Sequence, residues 1–212
     1  MDIGIIGAGH FGGALARRLG ALGHTVVVAN SRGPETLDKL EREPGVLAGT
    51  VEQAADHALV ILAIPTHAVR DLPRDAFAGR IVVDTDNYYP QRDGRIAEIE
   101  RGAASARWTA DHLPGARVVK ALNTINFQRL AEAGVPAGTP GRIAVPVAGD
   151  DAEAKRVVGD LIEALGFDPI DGGSLDQSWR QEPGTPVYNA NLDAAAAREA
   201  IATARHPERD PY

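Results

Sequence analysis

The 212-residue sequence contains no cysteine. Disulfides, thiolate catalysis and cysteine-ligated metals are therefore excluded, and any redox chemistry has to come from bound cofactors. No apolar run approaches the roughly 20 residues needed to cross a bilayer, and the N-terminus has no basic, signal-like segment, so we expect a cytoplasmic protein without a membrane partner. The net charge of −7, with no basic stripe, argues against nucleic acid as a partner.

Aromatic residues are few, at 5% of the chain, whereas hydrophobic residues make up 44% and charged residues 24%. The hydrophobic and charged contents are ordinary for a globular protein. A chain of this length is expected to form one domain, or one domain with a small annex, and it can bury a sizeable core.

A glycine-rich turn near the N-terminus gives the strongest motif. Residues 7–12 read GAGHFG and stand between a short apolar run and a helix predicted over residues 11–22. In this strand–turn–helix context, G-x-G-x-x-G predicts a dinucleotide site with the pyrophosphate at the helix N-terminus. Gly7 would let the chain turn sharply, Gly9 would let the pyrophosphate approach, and Gly12 would let the helix pack closely on the sheet.

The end of the second strand, predicted over residues 25–29, indicates which dinucleotide is bound. An NAD site would carry Asp or Glu roughly 20 residues after the glycines; here the position falls near Asn30, and no acid occurs before Glu35. A hydroxyl and a guanidinium can bind a 2′-phosphate that a carboxylate would repel, so Ser31 and Arg32 favour NADP. The alternative for Arg32 is a solvated surface arginine.

Strands and helices alternate along the rest of the chain. Further strands are predicted over residues 58–64, 80–84, 116–122, 143–149 and 167–171, and helices over residues 34–42, 50–56, 94–100, 103–112, 151–165, 175–181 and 191–205. This alternation predicts an α/β fold, a Rossmann-type doubly wound and mainly parallel sheet with a small C-terminal α/β subdomain. Pro146 suggests an edge strand or a bulge at its position.

A loop rich in glycine and proline at residues 134–141 marks the expected boundary between two units. We therefore predict an NADP-binding Rossmann domain over residues 1–135 and a small C-terminal portion over residues 142–205 that packs on it. Residues 206–212 form a polar segment that we expect to be a flexible tail.

The carboxyl ends of the predicted strands supply further site residues, because ligands bind there in doubly wound sheets. Residues 63–67 should lie along the cofactor. His67 either touches the cofactor or substrate, or is a polar residue in the first turn of the next helix. The predicted cofactor-binding residues are Gly7, Gly9, His10, Phe11, Gly12, Asn30, Ser31, Arg32, Ala63, Ile64, Pro65, His67 and Asn87.

Candidates for contact with a second substrate are few. Tyr88 and Tyr89 follow a strand end, where they either form a wall for a flat redox ring or simply pack. Lys120 and Asn123, with His67, are the polar candidates for catalysis. No Ser-His-Asp order, metal cluster or pair of carboxylates stands out, so we predict no metal site.

With these motifs in place, the chain resembles the coenzyme F420-dependent NADP oxidoreductase family, which includes the NADPH domains of the STEAP metalloreductases. The resemblance implies a Rossmann fold bearing NADP(H), a cleft in which a deazaflavin or flavin stacks on the nicotinamide, direct hydride transfer, and a homodimer. The matching pieces are residues 7–12, 30–32, 62–65, 118–125, 145–151 and 172–175.

The chain departs from this family in the region expected to bind the acceptor. Family F420 reductases have an apolar C-terminal helix, whereas residues 194–199 read AAAARE. Asn123 stands where some F420 enzymes have histidine, and Trp179 and the two tyrosines would shape a different acceptor site. These departures concern the acceptor and leave the NADP motifs intact.

The leading hypothesis is an NADP(H)-dependent oxidoreductase that transfers hydride between NADPH and F420 or a flavin such as FMN or FAD. A reductase of a small carbonyl or imine is an alternative, although such enzymes usually attach a large helical domain. A further alternative is an NADPH-binding, redox-sensing module without turnover of its own.

Overall fold

The computed structural model describes residues 1–206. Its strands join in one sheet in the order β3-β2-β1-β4-β5-β6-β7-β8. Neighbouring strands are parallel, except that β6 and β7 are antiparallel. The strands are β1 (Asp2–Ile6), β2 (Thr25–Ala29), β3 (Val46–Ala48), β4 (Leu59–Leu62), β5 (Ile81–Asp84), β6 (Arg117–Lys120), β7 (Ala144–Gly149) and β8 (Asp168–Asp171).

Helices cover both faces of the sheet. The α-helices are α1 (His10–Ala21), α2 (Asp38–Glu41), α3 (Val51–Ala55), α4 (Pro90–Asp93), α5 (Ala97–Glu100), α6 (Ser105–His112), α7 (Phe127–Glu132), α8 (Ala152–Ala164) and α9 (Ala194–Thr203). Short 3-10 helices span Pro34–Thr36, Thr66–Asp71, Arg74–Phe77 and Leu175–Gln181. In the part of the chain that the structure describes, no helix is long and apolar enough to cross a membrane.

The central strands form because their apolar side chains are buried on both faces of the sheet. All four residues of β4 are buried, as are the last four of β1. Separate apolar clusters lie on the two faces, one around Ile5 and Leu15, the other around Leu62 and Trp108. The predicted doubly wound α/β sheet is therefore confirmed.

The first βαβ region contains a strand that the sequence reading missed and a broken helix. β3 pairs with β2, but three residues are too few to show an alternating pattern. The helix predicted over residues 34–42 is divided into Pro34–Thr36 and α2, because Leu37 leaves helical geometry with φ −107° and ψ 9°. The helix predicted from Thr50 is present, and its capping box is complete.

The predicted helix over residues 94–100 begins later than expected. The structure has α4 before it, and Gly94, at φ 70°, then turns the chain. Glycine tolerates this left-handed conformation without a Cβ clash. The helix resumes only at Ala97, as α5, and the helix predicted from residue 103 is α6.

The edge position suggested by Pro146 is wrong, because β7 lies between β6 and β8. β6 pairs with only the last two residues of β7, Ala148 and Gly149, so Pro146 lies beyond the antiparallel ladder. The Pro146 carbonyl oxygen instead accepts a hydrogen bond from Gln181 Nε2 at 3.3 Å. The missing N–H of proline therefore interrupts no ladder bond with β6.

The C-terminal elements follow the predicted order. Asp151 caps α8 by accepting a hydrogen bond from Ala154 N, and Asp193 caps α9 in the same way through Ala196 N. β7 and β8 extend the sheet of the N-terminal strands, and the division into two units between residues 135 and 142 stays a prediction. Apart from residue 206, the predicted flexible tail lies outside the described residues.

Candidate functional site

The carboxyl ends of five parallel strands lie level with one another. In the strand register, Ile6 lies opposite both Ala29 and Leu62, Leu62 lies opposite Asp84, and Asp84 lies opposite Lys120. β2 and β3 lie on one side of β1, whereas β4, β5 and β6 follow on its other side, so the strand order reverses between β1 and β4. Ligands bind at such a switch point. The segments that follow these five residues therefore form the site.

The glycine turn packs tightly against β4 and α1. Gly7 has φ 115°, and a Cβ there would lie 2.1 Å from the Ala63 carbonyl oxygen. A Cβ at Gly12 would lie 1.8 Å from the Gly7 carbonyl oxygen. Both positions therefore require glycine for close backbone approach.

Gly9 differs from its neighbours in facing open space. A Cβ built there meets no atom of the described residues 1–206 within 4 Å. Gly9 is the N-cap of α1 and supplies no side-chain cap, and the first turn of this helix contains no acid. The N–H groups at this helix end are thus free to bind an anion, which is what a pyrophosphate needs.

A first cavity of about 520 Å³ lies beside this turn. It brings together most of the predicted cofactor residues from the ends of β1, β2 and β4. Its lining includes Gly7, Gly9, Asn30, Ser31, Arg32, Ala63, Ile64 and Pro65. Glu52 and Asp71, which were not predicted as site residues from the sequence, also line it.

The Asn30 side chain shapes the loop after β2. Its Oδ1 accepts a hydrogen bond from Arg32 N at 2.8 Å, and its Nδ2 donates one to Thr36 Oγ1 at 2.9 Å. Arg32 is exposed and lines both the first cavity and an adjoining cavity that contains Lys39. Among residues 1–206 no carboxylate forms an ion pair with the Arg32 guanidinium, which leaves it available to a phosphate.

A second cavity, of about 410 Å³, shares the wall of residues 63–65 with the first. Its other walls come from α1, from the segments after β5 and β6 and from the C-terminal third of the chain. They include Phe11, Thr85, Asp86, Asn87, Tyr89, Arg92, Leu122, Asn123, Phe127, Tyr188 and Asn189. The two cavities therefore adjoin along the segment that follows β4.

Amide side chains fix one wall of the second cavity. Asn87 Nδ2 donates to the Asn123 carbonyl oxygen at 3.0 Å, and Asn123 Nδ2 donates to Asn87 Oδ1 at 3.0 Å. Gln181 Nε2 also donates to Asn123 Oδ1 at 2.9 Å. Leu122 has φ 63°, an unusual conformation for a bulky residue, and it turns the chain into this wall.

Two tyrosines from distant parts of the chain meet at the second cavity. The hydroxyls of Tyr89 and Tyr188 are hydrogen-bonded to each other. Burial, followed by this bond, raises the pKa of Tyr89. The guanidinium of Arg92 lies over the Tyr89 ring, 5.1 Å from its centroid. Tyr88 instead packs in the core, so only the second of the adjacent tyrosines lines the cavity.

A buried charge cluster lies beside the second cavity. Lys120 Nζ is 3.0 Å from Asp84 Oδ1, and it also donates to the Asp86 carbonyl oxygen and to Ser105 Oγ. Burial, and then the charge of Asp84, raise the pKa of Asp86 well above its ordinary value, while Lys120 and Arg92 act in the opposite direction. Lys120 itself is fully buried and lies outside both cavity linings.

His67 and His10, both predicted to bind the cofactor, line neither of the two cavities. His67, in the first turn of the 3-10 helix Thr66–Asp71, has Nδ1 2.9 Å from the buried Asp93 carboxylate. Burial would raise the pKa of Asp93, but hydrogen bonds from Arg92, the Tyr89 N–H and His67 together lower it. His10 stacks on Phe127 with ring centroids 4.9 Å apart.

The sequence placed Asp86 in the polar segment 85–90 without singling it out, and it did not predict Gln181, Tyr188 or Asn189 as site residues. Asp86 stands in a polar stretch that reads as a loop, and its burial depends on β6 and α6 packing beside it. Tyr188 and Asn189 belong to an irregular connection that is held by the hydrogen bond from Asn189 N to the Thr124 carbonyl oxygen at 3.0 Å. Among residues 1–206, no cluster of three or more His, Asp or Glu residues could hold a metal.

The doubly wound sheet, the glycine turn and the helix N-terminus define a dinucleotide-binding α/β protein. Residues 2–88 match the family described as NADP oxidoreductase, coenzyme F420-dependent. A candidate F420-dependent NADP reductase from Arthrobacter sp. FB24 is 28% identical, with a TM-score of 0.71, and the alignment covers 82% of this chain and 86% of that one.

Two further relatives extend this comparison. Protein SMa0349 of Sinorhizobium meliloti is 36% identical, with a TM-score of 0.78, over 91% of this chain and 95% of that chain. The rat metalloreductase STEAP3 is 33% identical over 175 residues, which are 82% of this chain and 34% of STEAP3, so this chain spans about a third of that relative. Residues 2–88 belong to the F420-dependent NADP oxidoreductase family, and the comparisons over a longer part of the chain support an NADP-dependent oxidoreductase.

Proposed function

We propose that this protein transfers a hydride between NADPH and a deazaflavin, such as coenzyme F420, or a flavin. The observation that carries the proposal is the wall of residues 63–65, which the two cavities share. A dinucleotide lying across the ends of β1 and β4 would place its adenosine in the first cavity and its nicotinamide beside the second. An acceptor ring in the second cavity would then face the nicotinamide.

The residues of the first cavity suit NADP(H). The open space at Gly9, next to the N-terminus of α1, would admit the pyrophosphate. Ser31 and Arg32 would hold the 2′-phosphate through charge-assisted hydrogen bonds. When bound, NADPH supplies the hydride, and the task of the chain is to align two rings and to exclude water.

The second cavity suits a flat, polar ring system. Phe11, Tyr89 and Tyr188 provide aromatic surface, and the Asn87–Asn123 pair provides polar atoms. The volume of about 410 Å³ lies within the range of roughly 300–1,000 Å³ found for small-molecule sites. The Arg92 side chain, whose guanidinium pairs with Asp93, completes the polar part of the wall.

Stopped-flow spectroscopy tests this proposal. Purified protein is mixed with NADPH and with F420, FMN or FAD in turn, and the absorbances of donor and acceptor are followed together. We expect stoichiometric oxidation of NADPH and reduction of one of these rings. Tight NADPH binding without exchange would instead favour a redox-sensing module, and turnover only with a carbonyl or imine panel would favour a small-substrate reductase.

Three features of assembly and location stay part of the proposal. A Rossmann domain over residues 1–135 and a C-terminal portion over residues 142–205 are tested by limited proteolysis, which should cut first between them. A homodimer is tested by light scattering coupled to size-exclusion chromatography. A cytoplasmic location is tested by fractionation of the source cells.

A further inference from the structure

Asp86 combines burial, a position on the second cavity and an unused hydrogen-bonding atom. Its residue exposure is 6%, and it is among the residues that line the cavity. Its Oδ1 accepts a hydrogen bond from Ile64 N at 3.0 Å. Its Oδ2 is buried and has no partner among residues 1–206. A buried polar atom without a partner is costly in a folded protein, so such an atom at a cavity points to a ligand.

The surrounding charges favour the neutral form of Asp86. Asp84 already forms the ion pair with Lys120, so an ionised Asp86 would leave a second buried carboxylate with no cation of its own. Arg92 lies on the cavity wall, but its guanidinium pairs with Asp93. The other titratable side chains on the cavity are the phenols of Tyr89 and Tyr188, which are bonded to each other.

The hydrogen bonds of Asp86 also determine which oxygen carries the proton. Because Oδ1 accepts from the Ile64 N–H, a neutral carboxyl places its proton on Oδ2. A hydroxyl at Oδ2 is a donor, and among residues 1–206 this atom has no hydrogen-bond partner. It would find one in a ring nitrogen or a ring carbonyl oxygen bound in the cavity.

We propose that Asp86 is the proton donor to the hydride acceptor. This assignment rests on the proposed function and adds to it a requirement on the substrate: the acceptor presents a hydrogen-bond-accepting ring atom that becomes basic when the ring is reduced. Asp86 binds that atom through Oδ2–H and gives it a proton as the acceptor ring receives the hydride. The acceptor thereby gains a hydride and a proton, NADPH becomes NADP⁺, and Asp86 is left as a carboxylate that regains its proton from water. In the reverse reaction Asp86 is the base.

Lys120 and Asp84 are positioning residues in this scheme. Lys120 holds the Asp86 backbone through its carbonyl oxygen, and Asp84 Oδ1 accepts from Asp86 N at 2.9 Å. The two contacts fix the backbone of Asp86, although Lys120 does not itself line either cavity.

The test compares wild type with Asp86→Asn, which keeps the size of the side chain and the acceptor for Ile64 N–H but has no proton to give. Asp160→Asn, on the exposed face of α8, is the charge-matched control. Single-turnover hydride transfer from NADPH to the acceptor found above is measured across pH, together with NADPH affinity. General acid catalysis contributes roughly 100-fold or more, so we expect the Asn variant to be slower by about that factor with unchanged NADPH affinity.

The pH profile adds a second criterion. The wild-type rate should fall as the pH rises through the pKa of Asp86, whereas the Asn variant should show no such fall. Equal rates and equal profiles in the two proteins would overturn the role of Asp86. Absence of hydride transfer in wild type, with every acceptor, would instead overturn the proposed function and with it the reaction assigned to Asp86.

Infrared difference spectroscopy provides a readout that is independent of activity. The spectrum of wild type minus Asp86→Asn at neutral pH should contain the carbonyl stretch of a protonated carboxyl. The same subtraction with Asp160→Asn, an exposed side chain, identifies the bands that the introduced amide itself contributes. Carboxylate bands alone in the Asp86 difference spectrum would overturn the assignment of a neutral, proton-donating Asp86.

Discussion

Asp84 and Lys120 lie opposite each other on β5 and β6 and form an ion pair whose two side chains are buried. Lys120 Nζ is 3.0 Å from Asp84 Oδ1 and also contacts the Asp86 carbonyl oxygen. Two charges without access to water are stabilised only by each other and by their hydrogen bonds. The pair therefore connects the two strands at their carboxyl ends, beside the second cavity.

Replacing Lys120 by methionine should strongly destabilise the fold. The change leaves the Asp84 carboxylate buried without a cation, and breaking such a pair costs about 3–5 kcal/mol. Urea unfolding measures the loss. The double variant Lys120→Met/Asp84→Asn should recover part of the free energy of unfolding, because it removes the uncompensated charge. If the loss of unfolding free energy in the double variant equalled the sum of the losses in Lys120→Met and in Asp84→Asn alone, the two charges would not stabilise each other.

Arg32→Ala should weaken NADPH selectively. The loss of a charge-assisted hydrogen bond to the 2′-phosphate should cost about 1.5 to 3 kcal/mol of NADPH binding, with little effect on NADH. Calorimetric titration with both nucleotides measures the difference. Arg156→Ala is a suitable control, since Arg156 is exposed on α8 and pairs only with Asp160 among described residues. Equal weakening of both nucleotides would mean that Arg32 does not read the 2′-phosphate.

Alanine substitutions in the glycine turn should separate folding from binding. Gly12→Ala places a Cβ 1.8 Å from the Gly7 carbonyl oxygen, so we expect a loss of about 1–3 kcal/mol from overpacking. The Cβ of Gly9→Ala meets no atom of the described part of the chain within 4 Å, so the fold should lose under about 1 kcal/mol, mainly through the poorer helix cap. Its methyl group nevertheless enters the space expected for the pyrophosphate.

Thermal unfolding and NADPH titration of the same two variants distinguish these effects. Gly9→Ala should melt near the wild-type temperature and bind NADPH weakly, whereas Gly12→Ala should melt earlier. If Gly9→Ala bound NADPH as wild type does, the pyrophosphate could not lie against this glycine.

The sequence predicted the central sheet because its strands are buried on both faces. The runs at residues 25–29 and 58–64 are apolar and rich in β-branched residues, so local composition and final environment agree. The glycine turn could also be predicted from the sequence, since its spacing reflects contacts within one βαβ unit. Short elements could not be predicted in this way, because β3 has only three residues and its pairing with β2 is decided by tertiary context.

The second cavity could be predicted only in part, because its walls come from segments far apart in the chain. Tyr188 meets Tyr89 across 99 positions, and Gln181 reaches Asn123 across 58. Neither segment has a periodic pattern that indicates this packing. Asp86 stands in a polar loop segment of the sequence, and its raised pKa follows from burial and then from the charge of Asp84, neither of which the local sequence indicates.

The stability of the protein should report the protonation of Asp86 directly. The pKa of this carboxyl is raised in the folded state above its ordinary value of 3.8, by burial and by Asp84. Its contribution to stability is therefore fully present below pH 3.8 and is lost as the pH rises through the folded-state pKa, because the folded protein holds a proton that the unfolded chain releases. One such proton gives a slope of about −1.4 kcal/mol per pH unit in the free energy of unfolding.

Urea unfolding of wild type and Asp86→Asn across pH isolates this contribution, since the other titrating groups are common to both proteins. The wild-type free energy minus that of the variant should decline as the pH rises above about 4 and then level off above the pKa of buried Asp86. Parallel curves for wild type and Asp86→Asn would mean that Asp86 titrates alike in the folded and unfolded chains, and the neutral carboxyl at the second cavity would have to be abandoned.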